Sequence, residues 1–166
     1  MRFFYGQGFD PKKALQRIKD GEGWLLDNNM WDIKPESYAG LKQMQSMTLI
    51  GRDSVGRPNI LSRLETFHPK QTNLDEILKF YCMLLDHCGA NMPANTDQCN
   101  LIFDCKNAGT SNFDLTVAKG ITKISAVYTE RMKAIYFVDA AFMLRAAFKM
   151  VSPILPARTL AKIKML

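Results

Sequence analysis

The chain has 166 residues, 47% hydrophobic and 23% charged, a composition ordinary for a soluble globular protein and a length that suffices for one domain with its own core. Arg2-Phe3-Phe4-Tyr5 meets Gly6 and Asp10 almost at once, so no secretory signal is expected, and four cysteines without a CxxC pair do not make a disulfide scaffold; buried thiols in a reducing compartment are expected, with zinc the alternative. The net charge of +6 is uneven, because from Thr116 onward nine Lys or Arg face only Glu130 and Asp139, which suits a polyanion, an anionic membrane face or merely solvated helices.

Asp10-Pro11 reads as an N-cap followed by proline in the first helical turn. Ala14, Ile18 and Leu25 give that helix one face, weakened by Gly21 and Gly23, and Trp24 and Trp31 are expected to pack on the body of the protein. Residues 28–45 are mixed, broken by Pro35 and Gly40. Residues 47–50 and 59–65 are strand candidates, joined by the turn chemistry of Asp53-Ser54-Val55-Gly56-Arg57-Pro58. Asn73 with Glu76 opens a helix in capping-box fashion, carried on by Ile77, Leu78, Tyr81, Leu84, Leu85 and Cys88.

Leu101-Ile102-Phe103, ending in Asp104, is expected to be a central parallel strand covered on both faces. Asp114 starts a helix aligning Val117, Ile121, Ile124 and Tyr128, and Ile135-Tyr136-Phe137-Val138 is a second buried strand. Strand, helix, strand makes a βαβ unit with a right-handed crossover, so the class is α/β. From Ala140 a long helix follows, with Leu144, Phe148, Val151 and Leu155 on one face, widened by Met143, Ala146, Ala147 and Met150. Only Arg145, Lys149 and Ser152 are polar on it. A helix this apolar must cover a core, a ligand cavity or a membrane surface, and it falls short of the roughly 20 residues a bilayer span needs. Residues 163–166 look like the start of a third strand.

Catalytic signatures are missing: the chain has no GxxxxGK[ST], GxGxxG, GxSxG or HExxH. His68 precedes a proline in a loop and His87 closes an amphipathic helix, which gives both structural or solvated roles. Asp104 has no nucleophile or phosphate loop beside it in the sequence, so a turn role is expected, and the chain reads as no enzyme and without a metal.

The order of the remaining motifs resembles the CRAL-TRIO lipid-binding family, and within it the secretory-pathway phosphatidylinositol transfer proteins. Tyr128-Thr129-Glu130-Arg131-Met132 stands for that family's Y-P-E-R-M, Ile135 to Ala140 for its apolar strand, and Thr159-Leu160-Ala161-Lys162-Ile163 for its T-V-S-K-I. Asp53 to Pro58 matches a D-x-x-G-R-P turn, Phe103-Asp104-Cys105-Lys106 an M-D-L-K strand end, and Arg2-Phe3-Phe4 to Phe9-Asp10 the end of an N-terminal helical segment. The resemblance implies an open, mostly parallel sheet flooring an apolar cavity, with the greasy helix as a movable gate. It implies a partial N-terminal helical segment over residues 1–45 and a lipid-binding domain over 46–166 lacking its closing elements, the chain being shortened at both ends.

Carried over residue by residue, the resemblance makes Glu130 and Lys162 the holders of an inositol phosphate headgroup, the lysine on the phosphodiester and the carboxylate on inositol hydroxyls. Ile60, Leu101, Phe103, Phe137, Phe142, Phe148, Val151 and Leu155 would line the cavity, and Arg145 and Lys149 would meet anionic headgroups at a membrane. The ligand expected is a phospholipid, phosphatidylinositol above others, carried by a cytoplasmic protein that associates peripherally with membranes. Gln7 and Gly8 stand where relatives have two cations, and Cys99, Leu101 and Ile60 stand at choline-headgroup and pocket-tyrosine positions. The choline-position departures argue against a phosphatidylcholine site, and the cations missing at Gln7 and Gly8, with the closing elements expected to be absent, favour the alternative of a regulatory or scaffold domain with a collapsed pocket. Nucleic-acid binding through the basic half lacks interleaved aromatics and any motif.

Overall fold

The computed structural model describes residues 1–30 and 46–166, so Trp31, Pro35 and Gly40 lie outside the described residues. A short helix α1 (Arg2–Gly6) leads into α2 (Pro11–Asp27). Helix α2 starts as its sequence dictates, with the Asp10 carboxylate accepting hydrogen bonds from the Lys12 and Lys13 N–H groups at 2.9 and 3.1 Å. Its buried side is Ala14 and Gly21, whereas Ile18 is exposed. Gly21 is buried against the end of the helix over residues 115–127, where a Cβ would make an ordinary contact 3.5 Å from the Val127 Cα.

Strands β1 (Met47–Arg52) and β2 (Pro58–Arg63) form an antiparallel hairpin. Asp53 holds its turn, accepting from the Val55 and Arg57 N–H groups at 3.0 and 2.9 Å and from the Arg57 guanidinium at 3.2 Å. Helix α3 (Leu74–Ala90) is capped by Asn73, whose side-chain oxygen accepts from the Asp75 N–H at 2.8 Å. Then come β3 (Cys99–Asp104), α4 (Leu115–Val127, capped by Asp114) and β4 (Met132–Val138). Helix α5 (Phe142–Val151) precedes a 3₁₀ turn (Ser152–Ile154), α6 (Ala157–Leu160) and β5 (Ile163–Met165). The helix expected to reach Leu155 stops at Val151, because Pro153 has no N–H with which to extend it.

The five strands lie in the order β1-β2-β3-β4-β5, and every pair after the hairpin is parallel. In register, Ile60, Leu101, Ile135 and Ile163 cross the sheet on one face. Helices α3 and α4 pack there through Ile77, Tyr81, Leu85, Val117 and Ile124, each worth about 1.5–3 kcal/mol when fully buried. The opposite face carries Ile102 and Tyr136, which are only partly buried and stand outside both core clusters, so β3 is not covered equally on its two faces. All four cysteines are free and buried, and burial pushes the Cys82 thiol up to about 12, which makes it a packing group and not a nucleophile.

Candidate functional site

Between the sheet and helices α4 and α5 lies a cavity of about 310 Å³. Its floor is β3 and β4: Leu101 and Phe103 from one, Ile135 and Phe137 from the other. Phe103 and Phe137 stack with ring centroids 4.7 Å apart, as their register pairing requires. Phe148, 5.8 Å from Phe137, and Val151 close it from α5, and Leu155 from the segment after it.

Two expected lining residues are placed elsewhere. Ile60 is fully buried in the core under α3, because the sheet there meets a helix directly and leaves no void. Phe142 is 85% exposed. At 100° per residue, Phe142, Arg145 and Lys149 fall within about 60° of one another, while Val151 lies about 120–180° from them and Phe148 borders Arg145 on the side that meets the sheet. Both cations are exposed on that outer face, and the Arg145 Nε donates to the Ala140 carbonyl at 2.9 Å, which fixes it at the start of α5.

The other end of the cavity is charged. The Glu130 carboxylate, 13% exposed, meets the Lys162 ammonium at 2.6 Å through Oε2 and the Arg158 guanidinium at 3.5 Å through Oε1. Chain topology explains the meeting: Glu130 stands just before β4 and Lys162 just before β5, and these strands pair in parallel, so both starts lie at the same end of the sheet. Glu130 holds φ at 58°, an uncommon backbone for a residue with a side chain, and such strain clusters where a side chain must be aimed. Helix α1 seals this end: a Cβ on Gly6 would lie 2.6 Å from the Thr129 methyl, so only glycine lets the backbone come this close. Arg158 ties the two together, donating to the Tyr5 carbonyl at 3.1 Å with its guanidinium 5.5 Å from the Tyr5 ring centre.

Glu130 and Lys162 are therefore brought together, as are five of the lining aromatics and aliphatics in addition to Leu101. Arg158 and Arg17 of α2, which also line the cavity, were not legible as site residues, since their approach depends on how distant elements pack. Arg131 also lines the cavity, and its guanidinium donates to the Asp97 carbonyl at 3.0 Å. Asp104 accepts from the Lys106 N–H at 3.1 Å, a turn role. Among the described residues no group of His, Cys, Asp or Glu could hold a metal, and no helix is long and apolar enough to cross a membrane.

An open, mostly parallel sheet with a cavity on one face and a short covering helix defines the class as an α/β fold. The chain belongs to the CRAL/TRIO domain family, which it matches over residues 42–166. Among solved structures it is similar to the crystal structure of Sfh5, with a TM-score of 0.83 over 99% of this chain at 14% identity, a likeness of fold. The chain spans 62% of the length of that one.

Proposed function

We propose that this chain binds a phospholipid, phosphatidylinositol foremost, and carries or presents it at an anionic membrane face without catalysing a reaction on it. The carrying observation is the polarity of one cavity, which is aromatic and aliphatic from Phe103 to Val151 and charged at Glu130, Lys162 and Arg158. Met132 to Phe137 along β4 is about 16 Å at roughly 3.3 Å per residue, so headgroup and acyl regions would be separated much as in a membrane lipid. Lys162 and Glu130 would divide the headgroup between them, the ammonium on the phosphodiester and the carboxylate on hydroxyl protons.

A volume of about 310 Å³ lies at the low end of the roughly 300–1,000 Å³ of ligand sites, so a two-chain lipid enters only if α5 swings outward. Phe142 and Met150, exposed on α5 beside Arg145 and Lys149, suit that movement at a bilayer surface, with apolar groups entering the interface and cations meeting headgroups. A collapsed, purely scaffolding pocket is disfavoured by the same open volume. Extraction of the purified protein and identification of bound lipid by mass spectrometry tests the reading. A co-purifying inositol phospholipid is expected, and a protein that stays empty after incubation with vesicles would count against it.

A further inference from the structure

The balance of charge along the cavity lining is uneven, with Arg17, Arg131, Arg158 and Lys162 against Asp114 and Glu130. Glu130 brings one carboxylate, and it is already engaged by Lys162 on one oxygen and Arg158 on the other. Arg17 adds a cation from α2: it lines this cavity and also the shallow groove beside it, where Pro156 is a shared neighbour two residues before Arg158. The Arg17 Nε is buried and has no hydrogen-bond partner among the described residues. A buried guanidinium donor without an acceptor is costly, and an anionic oxygen arriving in the cavity would satisfy it. Arg158 is 52% exposed along its side chain, yet it is held in place by the Tyr5 carbonyl and ring. A guanidinium fixed in this way loses little freedom when it takes up a second acceptor.

Resting on the lipid-binding reading above, we propose that Arg158 and Arg17 are specificity-determining residues that restrict the cavity to lipids whose headgroup carries net negative charge. A phosphodiester without a compensating ammonium leaves its charge free to meet the surplus cations, and both guanidinium groups can donate to its oxygens. A zwitterionic headgroup brings its own ammonium into a site already rich in cations, and a neutral diacylglycerol brings no acceptor anion at all. Lys162 and Glu130 then hold the headgroup, while Arg158 and Arg17 choose its charge.

The test incubates the whole chain with phosphatidylcholine vesicles carrying either phosphatidylinositol or diacylglycerol of the same acyl chains, and quantifies lipid on the recovered protein by mass spectrometry. The parent chain is expected to take phosphatidylinositol over both phosphatidylcholine and diacylglycerol. In Arg158→Gln and Arg17→Gln the ratio of phosphatidylinositol to diacylglycerol taken up should fall about tenfold each, as expected for loss of a charge-assisted hydrogen bond. Arg158→Lys and Arg17→Lys should recover part of that ratio. Uptake of diacylglycerol with the ratio unchanged in both glutamine variants overturns this inference and leaves the lipid-binding reading intact. A parent chain that takes up none of the three lipids overturns both.

Discussion

The Lys162 ammonium lies 2.6 Å from the Glu130 carboxylate across 32 positions of sequence, in a partly buried pair that parallel pairing of β4 and β5 brings together. Lys162 is thus held on an internal carboxylate that a phosphate oxygen would have to share or displace. Lys162→Ala should lower phosphatidylinositol affinity about tenfold or more, since a hydrogen bond to a charged group is worth roughly 1.5–3 kcal/mol. Its fold should persist, because Arg158 remains on Glu130. Vesicle-competition binding alongside a thermal melt checks this, and equal affinity in variant and parent would remove Lys162 from the site.

The two faces of α5 should separate uptake from docking. Phe148 faces the Phe137 ring inside the cavity, so Phe148→Asp places a carboxylate against aromatic walls and should abolish transfer of any lipid between vesicles. Phe142 is on the outer face, and Phe142→Asp should weaken sedimentation with anionic vesicles while lipid uptake from detergent micelles continues. Transfer by Phe148→Asp at the parent rate would refute the gate.

Ile60 belongs to the core and not to the cavity wall, which separates its role from that of Leu101 beside it in register. Ile60→Ala should cost about 2–5 kcal/mol in urea unfolding, because a fully buried side chain leaves a void that the sheet and α3 close only partly. The lipid preference of the folded fraction should stay that of the parent. A shift in preference with little loss of stability would return Ile60 to the binding site.

The starts of α2, α3 and α4 were legible because Asp10, Asn73 and Asp114 satisfy backbone N–H groups two or three residues on, a local contract between side chain and backbone. The parallel strands were legible from their apolar runs, and the Glu130 and Lys162 pair only through family likeness, since no spacing rule joins residues that meet across strand starts. The apolar periodicity runs on to Leu155, whereas α5 ends at Val151, because Pro153 stops the helix without interrupting the apolar pattern. Phe148 falls on the apolar face of α5 and Phe142 does not, but where Phe142 turns depends on where the sheet lies, which no local pattern encodes. Arg158 was invisible for a stronger reason: its partner Tyr5 is 153 positions away, and their contact exists only after both ends of the chain dock at one cavity mouth.

Asp53 connects the β1–β2 turn to the central sheet, because its second oxygen accepts from the Asn100 side chain at 3.1 Å while the first holds the turn N–H groups. The Arg57 N–H above all, with Asn100 and Val55 adding to it, holds the Asp53 carboxyl down at about 2. A carboxyl whose folded pKa is depressed contributes stability that is fully present above its unfolded pKa, near 3.9, and is lost as pH falls through the folded value. The contribution should therefore be complete at pH 5 and drain away between roughly pH 4 and pH 2. Asp53→Ala should lower the melting temperature at pH 7, and the gap between parent and variant should narrow across that acid window. Thermal melts over a pH series would show it, and a gap that stays constant down to pH 2 would mean that Asp53 acts there by packing and not by its charge.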